Sequence, residues 1–326
     1  MISVVMPAYN ASKFIDEAIK SILNQTLGDF ELIIVDDGST DNTVDIVKHY
    51  LKLDRRIRLI QNNHKGISHA LNTGLKEAKY DWIARIDADD IALPERFEKQ
   101  IKAANANPKV LVWGTYAYHI SSTGKVLSLQ QQGPISEEEF HRILNDGMIP
   151  FVIQPTVLLK KEILLKVGEY DERFTFAQDL DLLSRISDHG SILAIPEPLL
   201  LYRVHLQSVS MQKFFLQQFF ARCIYARHQA RRTGAQLPEP AQFEHEEKKR
   251  PILSRLPENL QTLGRFFYRK AGLFFAEKQY IQATWYLGFA MIIYPSYSIP
   301  RIWNQKLSPQ TRQALKEAKF CYTSES

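Results

Sequence analysis

The chain has 326 residues, 45% apolar and 24% charged, a balance that supports a buried core and excludes a wholly disordered chain. Its 41 Lys and Arg against 36 Asp and Glu leave a net charge of +5. That excess suits a phosphate-bearing ligand or an anionic surface, but without a basic stripe it speaks against a nucleic-acid partner. Cys223 and Cys321 lie far apart and outside any metal-type spacing, and Met1 leads into ISVVMP without the basic and long apolar regions of a signal peptide. A reducing, cytoplasmic setting is the expectation.

In chain order, ISVVM is a short apolar run ending at Pro7, and SKFIDEAIKSILNQT carries a helical stripe with Ser12 as its N-cap. ELIIVDD, IRLIQ, WIARID and VLVWGTYAYHI read as further strands, separated by helices over DNTVDIVKHYLKL, ISHALNTGLKEA and PERFEKQIKAANA. Continuous apolar strands alternating with helices predict a mostly parallel sheet covered on both faces. The turns at Asp36–Gly38 and Asp87–Asp90 then fall at strand C-terminal ends, where open α/β sheets bind ligands. Farther on come a helix over SEEEFHRIL with a Ser136–Glu139 capping box, a strand over PTVLLKK, a helix over DLDLLSRIS, and two strands over ILAI and LLLYRVH.

Past residue 210 long helical patterns take over, interrupted by a Pro-, Glu- and Lys-rich linker from about Thr233 to Pro257. The stretch from Leu260 to Ala318 reads as helical. Ala283, Ala290 and Pro295, with Phe274 and Tyr280, have the spacing of one tetratricopeptide-like hairpin near 260–296, although a plain helical hairpin fits as well. The expected organisation is an α/β domain over 1–210 and a helical extension over 211–326. The longest uncharged run, between Lys278 and Arg301, carries too many polar and proline residues to span a membrane, but could lie against one.

Three motifs carry chemistry. In IDADD, extended backbone puts Asp87 and Asp89 on one side, where they would share one Mg²⁺ or Mn²⁺; a solvated acidic turn is the alternative. In VDDGSTD, Asp36 and Asp37 would accept from a nucleobase or ribose, or belong to a helix-capping cluster. In MPAYN, Tyr9 offers an aromatic face and a hydroxyl, or merely ends a strand.

Together SVVMPAYN, SILNQT, FELIIVDDGSTDNT, NHKGISHALNTGLKEA and WIARIDADDIALPERFEKQ resemble the family 2 glycosyltransferases over roughly residues 2–210. The resemblance implies a GT-A fold, Rossmann-like and mostly parallel, and it assigns roles residue by residue. Pro7, Ala8 and Tyr9 match the first nucleotide-binding turn. Asp37 matches the acid that reads the base, with Asp36 beside it. Lys65, Gly66 and Asn72 match the segment over the nucleotide and sugar. Arg85 and Asp87 match donor contacts, and Asp87 with Asp89 match the DxD metal and diphosphate site, leaving the share of Asp90 open. AQDLDLLSRI resembles the family's base segment with Gln178 in place of Glu; Asp179 stands where the base belongs, supported by Asp181 and Arg185. LLLYRVHLQSVS resembles the closing segment, in which His205 would reach the metal or diphosphate and Arg203 a phosphate oxygen. Gln154 stands near the acceptor where relatives often carry His.

What the resemblance implies is an inverting, metal-dependent transfer from a nucleotide sugar, UDP by default with TDP or GDP open. The acceptor would be a saccharide or lipid-linked hydroxyl in cell-surface polysaccharide or oligosaccharide synthesis, reached at the inner face of the membrane. Two rivals stand beside it: a sugar-nucleotide pyrophosphorylase, which would want a Gly- and Arg-rich loop where PAYNASKF stands, and a non-catalytic GT-A-like protein binding partners through its helical tail.

Overall fold

The computed structural model describes residues 1–206 and 208–303; the helical reading of 304–318 and Cys321 lie outside them. Elements follow in the order β1 (Ile2–Ala8), α1 (Ile15–Leu23), β2 (Phe30–Asp36), α2 (Thr43–Leu51), β3 (Ile57–Gln61), α3 (Ile67–Glu77), β4 (Trp82–Arg85), β5 (Ile91–Ala92), α4 (Arg96–Ala106), β6 (Val110–Ile120), β7 (Val126–Gln130), α5 (Glu137–Asn145), β8 (Leu158–Lys160), α6 (Lys161–Val167), α7 (Gln178–Ile186) and β9 (Ser191–Arg203). Helices α8 (Val209–Gln212), α9 (Phe214–Thr233), α10 (Pro240–Lys249), α11 (Ile252–Ala276), α12 (Tyr280–Ile293) and α13 (Pro295–Ile302) complete the described chain. Two compact units emerge: residues 1–117, 131–202 and 224–235 form the first, and 118–130, 203–223 and 236 onward the second. The boundary read at 210 falls inside the 203–223 segment.

Among the described residues the strands form one sheet in the order β3-β2-β1-β4-β8-β6-β9-β5, with β7 paired to β6. β3, β2, β1 and β4 are parallel. Every residue of β1 and β2 is buried, as expected of apolar runs covered on both faces. α1 turns Ile15, Ala18, Ile19 and Ile22 into that core. Gly74 lets α3 press on β1, since a Cβ there would stand 2.5 Å from the Val5 side chain. The other half is antiparallel: β8 runs against β4 and β6, and β5 against β9. The sheet is therefore mixed.

Several local expectations change. β1 runs one residue past Pro7; pairing with β4 has stopped at Val5, so the missing proline N–H costs no ladder bond there. Ser12 does not cap α1, which starts at Ile15: its side chain is hydrogen-bonded to Asp41, whose Oδ2 also accepts the Ser12 N–H at 3.0 Å. The Ser136 cap holds, with Glu139 N–H donating to Ser136 Oγ at 3.2 Å, but Glu139 reaches back to the Ile135 N–H instead of closing the box on Ser136. The two strands read over ILAI and LLLYRVH are one, ending at Arg203, with Glu197 of its PEP segment exposed. The linker contains α10, begun by Pro240 at a position where a proline N–H is not needed, and Pro257 lies inside α11.

In the second unit α11 and α12 form a hairpin through aromatic contacts. Phe274 stacks on Tyr286 at 5.3 Å, and Phe267 lies 5.6 Å from Phe289. Ala283 and Ala290 are the buried residues of α12.

Candidate active site

Strand ends bring two acidic turns to one edge of the first unit. At the first, β1 and β2 finish together, with Ala8 opposite Asp36 and the Asp37 N–H donating to Ala8 O at 2.8 Å. Asp36 is buried and accepts from the backbone of Gly38 and Ser39 at 3.3 and 3.2 Å. Asp37 is buried as well; Lys65 N–H donates to its Oδ1 at 2.9 Å and Gly66 N–H to its Oδ2 at 2.8 Å. Gly38 sits at φ +82°, where a Cβ would also meet His64 N at 3.1 Å, so this turn requires glycine. The first loop is tied on by Thr40 N–H donating to Asn10 Oδ1 at 2.8 Å and Asn10 N–H donating to Ser39 Oγ at 2.9 Å. Asp41 loses some solvation, yet hydrogen bonds from Thr43 and Ser12 hold its carboxyl down at about 2. Tyr9 is exposed and stacks on the His64 ring, centroids 4.2 Å apart and planes at 29°.

The second turn follows β4. One oxygen each from Asp87, Asp89 and Asp90 lies within 4.8 Å of the others. Oxygens bound to Mg²⁺ at about 2.1 Å stand at most about 4.2 Å apart, so small side-chain rotations suffice and the donor set fits a hard divalent cation. Arg85, buried, donates from its terminal nitrogen to Asp87 Oδ1 at 2.8 Å. Arg85 Nε has no partner among the described residues, which leaves a buried cationic donor beside the acids. Burial raises the Asp87 carboxyl; Arg85 pulls it down, while Asp89 and Asp179 push it up, and the net direction is upward. A cation among these oxygens would remove that penalty.

Asp179 enters the same electrostatic neighbourhood from α7. Its carboxyl is raised by burial against the pull of Arg85 and of the Leu180 N–H, which donates to Asp179 Oδ1 at 2.9 Å. Ala177, two residues before it, is held at φ +59°, an uncommon conformation for a residue with a Cβ, and starts the helix at that angle. Asp181 and Arg185 anchor α7 from below: Arg185 Nε donates to Asp181 Oδ2 at 2.8 Å and its other nitrogens to the carbonyls of Val167 and Glu169. Tyr170 is buried among Arg85, Asp87 and Asp179; burial above all pushes its hydroxyl up to about 12.

The remaining sequence candidates are placed less alike. Pro7 and Ala8 are buried in β1, and Lys65 is exposed beside Gly66, whose φ of +95° opens α3. Asn72 is turned to the chain itself: its amide donates to Tyr170 O at 2.9 Å and Glu172 Oε1 at 3.2 Å, and its Oδ1 accepts from Tyr170 N–H at 2.9 Å. Both amide atoms of Gln154 are buried without a partner among the described residues. Arg203 and His205 belong to the second unit; Arg203 is buried and donates to the carbonyls of Ser121 and Ser122 at 3.3 Å. Tyr170 and His64 escaped the sequence reading. The position of Tyr170 comes from its pairing with Asn72 across 98 residues, and the His64 stack from a left-handed residue at φ +48°; neither leaves a pattern in the chain.

Comparison with known proteins gives the family and the fold. The family model described as glycosyl transferase family 2 matches residues 3–168, half of the chain. The Escherichia coli O-antigen biosynthesis glycosyltransferase WbnJ is 36% identical over 217 residues, 64% of this chain and 81% of that protein. Across the first four curated relatives, all glycosyltransferases by name, the match spans 63% to 81% of their length. Among solved structures, S. aureus TarS 1–349 in complex with UDP superposes with a TM-score of 0.54 at 17% identity, over 91% of this chain and 90% of that one. The mannosyltransferase PcManGT from Pyrobaculum calidifontis, in complex with GDP-Man and Mn²⁺, gives 0.53 at 18%, over 91% and 86%. These likenesses give the fold.

Proposed function

The chain belongs to glycosyl transferase family 2, and we propose that it moves a sugar from a nucleoside-diphosphate donor, UDP-linked in the first instance, to a hydroxyl acceptor with inversion at the anomeric carbon. It is a glycosyltransferase of the GT-A α/β fold. The observation that carries the finer reading is the Asp87, Asp89 and Asp90 cluster, with Arg85 buried against it and Asp179 in its field. The UDP of TarS and the GDP-Man and Mn²⁺ of PcManGT support a nucleotide sugar and a divalent ion. The name of WbnJ supports a polysaccharide acceptor.

Asp87 and Asp89 would hold Mg²⁺ or Mn²⁺, with Asp90 beside them. When bound, the ion supplies positive charge against the departing diphosphate. Asp37 shapes the base pocket by fixing the 65–66 turn, and Tyr9 gives the base a face. Lys65, Gly66 and Asn72 border the nucleotide, Asn72 through the 170–172 segment it holds. Arg85 keeps Asp87 in place beside the donor and adds its positive charge there.

Asp179 takes the acceptor hydroxyl proton as the new O–C1 bond forms; the C1–O bond to phosphate breaks, and its electron pair leaves with the nucleoside diphosphate. The raised carboxyl makes Asp179 a stronger base than an exposed aspartate, as general-base catalysis near neutral pH requires. The acceptor is assigned to saccharides or lipid-linked saccharides at the cytoplasmic face of the membrane.

Thermal shift of the full chain with Mn²⁺ and UDP-, TDP- and GDP-sugars tests the donor. Stabilisation by UDP-sugars that EDTA abolishes is the expected result. No stabilisation by any nucleotide sugar overturns the proposal, and preference for GDP- or TDP-sugars reassigns the base.

A further inference from the structure

The second unit carries a surface that transfer chemistry does not use. α12, YIQATWYLGFAMII, contains no charged residue. Its inner side, Ala283, Tyr286 and Ala290, is covered in part by α11 through Phe267 and Phe274. On its outer side Ile281, Trp285 and Ile292 are 74%, 66% and 79% exposed. With Gly288 they recur at the spacing of one helical face. Phe289 lies 6.4 Å from Trp285 on the same side, and Thr284, Trp285, Gly288, Phe289 and Ile292 line a shallow pocket of ≈ 320 Å³. Contiguous apolar surface of this kind marks an interaction site, in contrast to scattered single residues.

The charge of the segment that carries this face selects its occupant. From residue 259 to 303 the chain carries five cations (Arg265, Arg269, Lys270, Lys278, Arg301) and one acid, Glu277. Lys278 lies exposed just before α12, and Arg301 exposed near the end of α13, its guanidinium 4.3 Å from the Tyr297 ring. A second copy of the chain would bring the same cations against each other. Anionic phospholipid headgroups complement them, and Trp and Tyr rings favour the headgroup boundary. No described helix is long and apolar enough to cross a membrane, so the face would lie on a bilayer.

We infer that the outer face of α12, flanked by Lys278 and Arg301, docks on an anionic lipid bilayer. This deepens the membrane-face location proposed above, and its chemistry is separable from the transfer site. Ile281, Trp285 and Ile292 enter the headgroup–acyl boundary while the flanking cations pair with lipid phosphates.

The test is co-sedimentation of the full chain with vesicles of phosphatidylcholine alone or with about one third phosphatidylglycerol. Binding to the anionic vesicles, little to the neutral ones, is expected. Trp285→Gln with Ile292→Gln should lower the partition about tenfold or more, since two large side chains no longer leave water. Lys278→Gln with Arg301→Gln should cut binding several-fold and leave the salt dependence shallower. Absence of binding to anionic vesicles overturns the inference. So does a concentration-dependent dimer, seen by light scattering, that Trp285→Gln with Ile292→Gln abolishes, because the occupant is then a second copy. Thermal shift by nucleotide sugar, measured on the same variants, separates the two proposals: it should be unchanged whenever only docking is lost.

Discussion

The two acidic turns at the sheet edge are built from the same residue type and satisfied in opposite ways. Asp36 and Asp37 spend their oxygens on backbone N–H groups of Gly38, Ser39, Lys65 and Gly66. Asp87, Asp89 and Asp90 crowd one another within 4.8 Å, opposed by two buried cations, Arg85 paired with Asp87 and Arg96 in the field of Asp90. A carboxylate that collects backbone donors shapes a loop with no ligand present. Carboxylates that collect each other form a site completed by a cation. Identical acids thus divide into scaffold and chemistry by what the backbone offers them.

The sharpest way to break this contrast is Asp89→Asn. Weakened cation binding removes charge stabilisation of several kcal/mol from the departing diphosphate, about a thousandfold in turnover, read as nucleoside-diphosphate release at a Mn²⁺ concentration just sufficient to saturate the parent chain. The melting temperature of the unliganded variant should hold or rise, because one of three crowded charges is gone. A fall in stability with full turnover would place Asp89 in the scaffold instead.

Asp179→Asn comes next. Loss of the base should lower kcat by about 10²–10⁴-fold with donor affinity retained. In the parent chain the burial-raised carboxyl predicts an acid limb in the kcat profile, with turnover falling as the pH drops through a value above that of an ordinary aspartate. Unchanged turnover in the variant removes Asp179 from the reaction.

Asp37→Asn should show the reverse of Asp89→Asn. An amide can accept from one of the Lys65 and Gly66 N–H groups but sets its own N–H₂ against the other, at a cost of about 1–3 kcal/mol. A lowered urea midpoint with a raised KM for donor, and a smaller change in kcat, is the expected pattern. Unaltered stability would mean that the 65–66 turn does not depend on this carboxylate.

How far this division could be read from the chain depends on the range of the contacts. β1 and β2 were visible because a strand buried on both faces is apolar almost throughout, the buried Ser3–Glu31 pair excepted, and the acid tips because they stand at the strand ends. In the antiparallel half β6, β8 and β9 were visible as strands but their direction was not, because the partners lie in distant segments, and β5, with two residues, is too short for periodicity. Ser12 looked like a cap because sequence distance hides Asp41, which engages its side chain and its N–H from 29 residues away. Asn72 carried the pattern of a donor-site residue, yet its amide is held by Tyr170 and Glu172 from across the first unit. α10 was masked by the prolines around it, one of which begins the helix.

The smallest expected effect lies behind the site, where α9 meets α7, the helix that carries Asp179. His228 of α9 is buried; its Nδ1 shares a hydrogen bond of 3.0 Å with Ser184 Oγ of α7, and Arg231 Nε donates to Asp188 at 2.8 Å. Burial lowers the His228 pKa below its ordinary 6.5, Arg231 and Arg232 push the same way, and Asp188 opposes them. The unfolded chain therefore binds a proton that the folded chain resists. Stability from this group is complete above about pH 6.5 and declines as the pH falls from there toward the lowered folded value. The slope is at most that of one proton, about 1.4 kcal/mol per pH unit. Urea melts of His228→Gln and parent, compared at several pH values between about 5 and 8, should differ in slope below pH 6.5 and run parallel above it. Parallel curves throughout would mean that His228 takes up its proton in the folded state as readily as in the unfolded one, and that the contact between α9 and α7 is indifferent to its charge.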